Sequence, residues 1–296
     1  MKIENTGNST DRAALYVVAT PIGNLSDITL RALEVLKAAD VIAAEDTRVT
    51  ARLLQRHGIA GKLMAAHEHN ERGAARRIID VLAQGRSVAL VSDAGTPGIA
   101  DPGAAIVAAV RAAGHPVVPI PGANAAAAAL SVSGLAADRF LFCGFLPARA
   151  AERRRVLQDL AAQTAALVFY EAPHRVADSV ADLCAAFGGE RDIVIARELT
   201  KIHETVHCCR LQDAATWILE DANRERGEFV LVVQGAPVAP REAQPHAGSE
   251  AVLKLLLDEL PLKQAVTLAA RITGAARNGL YARALELQRG MEADEH

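Results

Sequence analysis

Carboxylates, histidines and arginines gather at a few short loops, each following an apolar run. The stretch VSDAGTPGIADPG (Val91–Gly103) packs three glycines and two prolines behind one such run. Both residue types are costly inside regular elements, so the loop suggests close approach to something. Gly95 and Gly98 admit a ligand without a Cβ in the way, and Asp93 offers a carboxylate to ribose hydroxyls or an amino group. An ordinary tight connection punctuated by Pro97 and Pro102 fits equally. In PIPGANAAAAA (Pro119–Ala129) a strand ends at a helix N-terminus rich in small residues, suited either to an anionic group or to close helix–sheet packing. In ATPIGNLSDIT, Asn24, Ser26 and Asp27 are placed to cap the following helix.

Proton transfer has its own candidates. In EDTR, Glu45 or Asp46 could serve as a base and Arg48 could hold phosphate; alternatively Asp46 or Thr47 caps a helix and Arg48 is solvated. HEHNE (His67–Glu71) has two histidines but no third ligand, so no metal site is expected. YEAPHR adds Tyr170, Glu171, His174 and Arg175, while Glu198 and Lys201 of ARELTK could form an internal ion pair.

These loops need a scaffold. From Ala14, short β-rich runs (LYVVATP, VIAAED, KLMAAH, SVALVSD, PVVPIP) alternate with helical runs, which predicts a mainly parallel α/β sheet. Ligands in such sheets bind beyond the carboxyl ends of the strands. The pattern restarts after GFLPARAAERRR with AALVFYEA, DIVIARE, ETVHCCRL and EFVLVVQG. No helix separates ETVHC from the preceding strand, so this sheet is expected to be partly antiparallel. The fold class is therefore two consecutive α/β domains followed by a small helical domain. The expected boundaries are a disordered leader (1–12), an N-terminal domain (13–146), a second domain (147–235), a Pro- and Ala-rich linker (236–249) and terminal helices (250–290), the last two joined at Gly274 like a helix-turn-helix.

Composition narrows the function. The formal charge of -3 excludes a strongly basic, unspecific nucleic-acid binder but not a local basic face. The four cysteines have no zinc spacing and are expected to be reduced thiols of a cytoplasmic protein. No apolar stretch reaches the roughly 20 residues of a membrane helix. Rossmann G-x-G-x-x-G and P-loop patterns are missing.

The motifs TPIGNLSDITLRALEVL, AAEDTR, VSDAGTPGIADPG, RFLFCGFLP, FYEAPHR, ARELTK and GEFVLVV follow in an order that resembles one branch of the tetrapyrrole-methylase-like superfamily. That branch is the bacterial 16S rRNA methyltransferases that modify a decoding-centre cytidine at its ribose 2′-oxygen. The resemblance implies S-adenosylmethionine as donor (S-adenosylhomocysteine as product), a cleft between two α/β domains, and a homodimer. Position by position, it implies a donor site of Pro21, Asp93, Ala94, Gly95, Gly98, Asn124, Ala125, Glu171, Leu199 and Thr200. Two departures stand out. TPIGNLSD replaces the glycine-rich first loop of the porphyrin-acting relatives, and PGAN replaces the Pro-Gly-Pro expected in the ribosomal branch.

For such an enzyme, Glu45, Asp46 and Arg48 are the catalytic candidates. RNA contact falls to Arg149, Arg153, Arg154 and Arg155, to His174 and Arg175, and to Lys263, Arg271, Arg277 and Arg283. Arg72, Arg76 and Arg77 form another basic group, and each run is equally a solvated helix face. Aromatics are too few for a stacking platform, so recognition would rest on backbone and shape, as in a ribosomal particle. A tetrapyrrole methylase and a noncatalytic donor-binding, ribosome-associated module are the alternatives.

Overall fold

The computed structural model describes residues 13–135, 138–237 and 247–294, so the expected leader and most of the linker lie outside the described residues. The chain forms two compact units, Met1–Ala236 and Pro237–His296.

The first unit begins with a wholly parallel sheet. Its strands are β1 (Leu15–Val18), β2 (Val41–Ala44), β3 (Leu63–Ala65), β4 (Val88–Val91) and β5 (Val117–Ile120), in the order β3-β2-β4-β1-β5. Between them run α1 (Leu30–Ala38), α2 (Thr47–Arg56), α3 (Glu71–Ala83) and α4 (Ala104–Ala112). A sheet covered on both faces needs apolar side chains at every position, and Val88, Ala89, Leu90 and Val91 are all buried. Tyr16, Val18, Ala89 and Val91 face α1 and α2, whereas Leu15, Val88 and Leu90 face α3 and α4. Pro119 is tolerated because β5 is an edge strand. Thr29, rather than Asn24, Ser26 or Asp27, caps α1, its Oγ1 accepting from the Ala32 N–H at 3.1 Å. Asn24 instead caps the short 3-10 turn Leu25–Asp27.

The second sheet is mixed, with the order β6-β7-β10-β8-β9. Its strands are β6 (Phe140–Phe145), β7 (Ala166–Glu171), β8 (Asp192–Arg197), β9 (Thr205–Arg210) and β10 (Phe229–Val233). The expected antiparallel character is present: β10 is antiparallel to β7 and β8, and β8 to β9. One face packs on α6 (Ala150–Leu160), α7 (Val176–Phe187) and α8 (Leu211–Leu219) around the fully buried Phe169. The other face receives α5 (Ala125–Val132) through Ala126 and Ala129, next to Val168, Val194 and Val230. Alanines let helix and sheet backbones come close, so α5 belongs to the second sheet's packing although it follows β5 directly.

The expected domain boundary at 146/147 is therefore too late. Both α5 and β6 pack with the second sheet, and the change of sheet occurs at Pro121–Asn124. In the second unit, α9 (Ala247–Glu259) begins inside the expected linker. It packs with α10 (Leu262–Thr273) and α11 (Arg277–Asp294) around Leu253, Val266, Ala269, Leu280 and Ala284. Gly274 ends α10 in the left-handed conformation (φ 70°) that only glycine adopts cheaply.

Candidate active site

The carboxyl ends of β1, β4 and β5 face β7, β8 and β10 across one cavity of about 360 Å³. Its walls come from Ile22 after β1, Ala94–Thr96 and Ile99–Asp101 after β4, and Asn124 and Ala125 at the start of α5. Phe145, Tyr170–Pro173, Ala196, Leu199 and Glu228–Val230 close it from the second sheet.

Each wall is held by local chemistry. Gly95, at φ 86°, exchanges two backbone hydrogen bonds with Thr20, which ties the β4 loop to the end of β1. Thr96 Oγ1 donates to the Ala123 carbonyl at 3.2 Å, which joins the β4 and β5 loops. Asn124 caps α5 by accepting from the Ala127 N–H at 3.0 Å. The Tyr170 hydroxyl accepts from the Ala126 N–H at 3.2 Å, which anchors α5 to β7. Burial raises the Tyr170 pKa above its ordinary value. On the far side, the Thr200 hydroxyl accepts from the Asn24 N–H at 3.0 Å. Lys201 pairs with Glu198 at 2.8 Å and Glu228 at 3.0 Å, so the expected internal ion pair is formed.

Of the donor-site residues carried over by resemblance, Ala94, Gly95, Asn124, Ala125, Glu171 and Leu199 line the cavity. Pro21 is buried beside Ile22, and Thr200 stands behind Leu199. Gly98 is not a wall residue; its N–H donates to the Pro102 carbonyl at 3.2 Å and shapes the loop. Asp93 also lies behind the wall: its Oδ1 accepts from the Asp46 N–H at 2.9 Å, and its own N–H donates to Glu45 Oε2 at 3.3 Å. The Glu171 side chain is fully buried and turned away. It accepts from Ser179 Oγ at 2.6 Å and pairs with Arg175 at 3.3 Å, so only its backbone meets the cavity.

The catalytic candidates of EDTR stand outside the cavity. Asp46 caps α2 through the Arg48 N–H at 2.8 Å and binds the Arg48 side chain at 2.5 Å; those bonds hold its carboxyl well below the usual carboxylate range. A carboxylate so engaged is a poor base. Arg48 is otherwise exposed. Burial, with help from the charges of Asp93, Glu68 and Asp46, raises Glu45, but its carboxylate serves the Asp93 backbone.

The basic candidates divide sharply. Arg153 is buried on Asp182 at 2.7 Å beneath α7, which removes it from any RNA-contacting surface. Arg154 reaches the same carboxylate at 2.9 Å yet stays largely exposed, as do Arg149 and Arg155. His174 is exposed, whereas Arg175 is bound by Glu171 and the Leu146 carbonyl. In the terminal unit Lys263, Arg271 and Arg277 are exposed; Arg283 is tied to Glu250 at 2.9 Å and Glu286 at 2.6 Å.

Asp101 went unrecognised in the sequence although it lies within the loop that drew attention first. An aspartate before a proline reads as turn punctuation, and only the fold shows it against the cavity. Phe145, Phe229 and Glu228 were missed likewise; their strand ends carry no composition signal.

A parallel sheet whose loops meet a mixed sheet across one cavity defines a methylase architecture: the chain belongs to the tetrapyrrole (corrin/porphyrin) methylase family, whose model matches residues 14–215. A second model, the RsmI C-terminal HTH domain, matches residues 243–288. The chain is 53% identical to the Ribosomal RNA small subunit methyltransferase I of Pseudomonas aeruginosa strain PAO1, over 93% of this chain and 97% of that protein. It is 52% identical to the protein of the same name from Escherichia coli O157:H7, over 93% and 95%. Among solved structures, the uroporphyrin-III-C-methyltransferase of Thermus thermophilus shares the fold at a TM-score of 0.55 and 24% identity, over 75% of this chain and 94% of that one. The methyltransferase CobJ does so at 0.58 and 22%, over 77% and 96%.

Proposed function

We propose that this protein transfers a methyl group from S-adenosylmethionine to the ribose 2′-hydroxyl of a decoding-centre cytidine in 16S rRNA, within the small ribosomal subunit. The observation that carries this reading is the near full-length identity, about half of all positions, to proteins named for methylation of small-subunit rRNA.

The cavity supports the choice of donor. Its volume falls in the range for a small-molecule site. Among the described residues its lining includes Asp101 and Glu228 and no lysine or arginine, which disfavours phosphates and suits a molecule carrying a sulfonium and an ammonium. Ala94, Gly95, Asn124, Ala125 and Leu199 would hold it by backbone and small-side-chain contacts. The donor, when bound, supplies an already activated methyl group. What remains for the protein is to align the acceptor oxygen, exclude water and remove a proton.

Arg149, Arg154, Arg155 and His174 in the first unit, with Lys263, Arg271 and Arg277 in the second, would meet RNA phosphates. The protein would act in the cytoplasm; among the described residues no helix is long and apolar enough to cross a membrane. A homodimer would cover the open edge of strand β6, where Phe140 and Leu141 are exposed.

Methyl transfer from tritiated S-adenosylmethionine tests the proposal. Label should enter the 16S rRNA of small subunits prepared from cells lacking this modification. Label entering uroporphyrinogen instead, or bound donor with no transfer to rRNA, would overturn it.

A further inference from the structure

We infer that Phe145 is the platform on which the target nucleobase stacks once it has left its neighbours in the RNA. The inference rests on the ribose methyl transfer proposed above. A 2′-hydroxyl reaches a donor held between two sheets only if its nucleotide enters the cleft, and a nucleotide stacked in folded RNA cannot. The base must leave its stack, at a cost that a new stack on the protein offsets. Aromatic side chains suit this because every base has a π-face. Six phenylalanines, three tyrosines and one tryptophan are too few to line a path for RNA, but one ring suffices for one base.

The aromatic side chains of the cavity narrow that ring to one. Phe145, Tyr170 and Phe229 line it. Phe229 is 2% exposed and belongs to the core on the α6–α8 face. Tyr170 is engaged on several sides: its ring meets Phe142 at 4.9 Å and Phe145 at 5.7 Å, and its hydroxyl accepts from the Ala126 N–H. Among the described residues, Phe145 alone joins an aromatic place on the cavity wall to an open surface, 56% exposed. On the opposite wall Ile99, 40% exposed, offers an apolar surface from the β4 loop.

The backbone of β6 aims the ring at the cavity. Side chains alternate along a regular strand, so Phe142 and Phe145, three positions apart, would fall on opposite faces. The bulge between Phe142 and Gly144 changes that. Phe142 lies opposite Val168, Gly144 opposite Phe169 and Phe145 opposite Tyr170, so one residue of β6 is left over. Phe145 thereby joins Phe142, Val168 and Tyr170 on the face turned to α5 and the cavity. Gly144, at φ 66°, supplies the left-handed residue that makes the bulge cheap. Re-aiming a side chain beside a site is a recurrent use of such bulges. Tyr170 then steadies the ring: the two planes stand at 70°, a T-shaped contact that fixes Phe145 without covering both of its faces.

The test compares wild type with Phe145→Ala, Phe145→Leu and Phe145→Trp, all as full chains, on small subunits lacking the modification. Removing one base stack should lower kcat/KM for subunits about 5- to 150-fold in Phe145→Ala. Phe145→Leu, apolar but without a π-face, should stay near the alanine value, and Phe145→Trp should return to within about threefold of wild type. Calorimetry without RNA should show S-adenosylhomocysteine affinity within about threefold of wild type for every variant. Phe145→Ala methylating at the wild-type rate would overturn the inference, and so would full recovery in Phe145→Leu, which needs only apolar bulk. A loss of S-adenosylhomocysteine affinity that matches the loss of rate would overturn it by assigning the ring to the donor's adenine. Sedimentation showing a changed oligomeric state in Phe145→Ala would overturn it by assigning the ring to a subunit contact. Wild type that binds donor but labels no rRNA would overturn the proposed function as well, whereas labelled rRNA with unaffected variants removes the stacking role alone.

Discussion

Adding one methyl group at Gly23 would probe how tightly the cavity is closed. A Cβ there would stand 2.6 Å from Lys201 Cγ, 2.7 Å from Thr200 Oγ1 and 3.1 Å from the Leu199 carbonyl oxygen. None of these can give way cheaply. Lys201 is held by Glu198 and Glu228, Thr200 Oγ1 by the Asn24 N–H, and the Leu199 oxygen is backbone. The methyl must therefore push the β1 loop from the β8 loop, and with them Ile22 from Leu199, both of which line the cavity. Overpacking by one methyl costs about 1–3 kcal/mol. If a closed cavity bears that strain, Gly23→Ala weakens donor binding by about 5- to 150-fold. Titration calorimetry with S-adenosylhomocysteine reads the change directly. An affinity within about twofold of wild type, with an unaltered melting curve, would show that these loops do not set the cavity's width.

The buried and exposed arginines of α6 should behave oppositely. Arg153→Met strips Asp182 of its buried partner and leaves only the more exposed Arg154; a loss of about 3 kcal/mol in urea denaturation is expected. Weaker rRNA binding at unchanged stability would instead make Arg153 an RNA contact. Arg155→Ala should leave stability within about 0.5 kcal/mol and reduce the salt dependence of rRNA binding by about one phosphate contact. Asp101 has a stability signature too. Its carboxyl titrates at about 6 when folded against 3.8 in the unfolded reference, so the folded state holds the proton more tightly. Stability from this group is thus full below about pH 4 and lost as pH rises through about 6. Full burial would make the effect about 3 kcal/mol; half-exposure discounts it to about 1 kcal/mol. Asp101→Asn should therefore melt about 2–4 °C above wild type at pH 7.5 and equal to it near pH 4. A difference independent of pH would remove the charge-burial argument. Ending the chain after Ala236 should spare donor affinity but reduce methylation of small subunits about tenfold or more, through lost RNA contacts. Full activity of that truncate would exclude α9–α11 from recognition.

Much of this was legible in the residues, for identifiable reasons. Strands buried on both faces, such as Val88–Val91, are continuous apolar runs, and the loops after them concentrate the glycines and prolines that shape the cavity. β6 was not legible as a strand. It is an edge, its Phe140, Leu141 and Phe145 are exposed, and a bulge between Phe142 and Gly144 (φ 66° at Gly144) breaks its alternation. The alanine run of α5 has no apolar face to give it direction, so nothing local assigned it to the second sheet. Arg153 carried a usable signal: it precedes the buried Leu157 by one helical turn, on the inward face, unlike Arg154 and Arg155. Glu171 and Asp93 were legible as residues of the site region, but not as side chains turned away from the cavity. Those orientations depend on Ser179, Arg175, Glu45 and Asp46, partners that no local pattern connects.

The central claim is transfer to a ribose oxygen on the small-subunit rRNA. Mapping the product tests it most directly: small subunits lacking the modification are treated with the protein and S-adenosylmethionine, and the 16S rRNA is read by ribose-methylation-sensitive cleavage. Protection at a single decoding-centre cytidine, with 2′-O-methylcytidine in the nucleoside digest, is the predicted result. A methyl group found on a base, or 16S rRNA left unprotected throughout while the donor is bound, would contradict it.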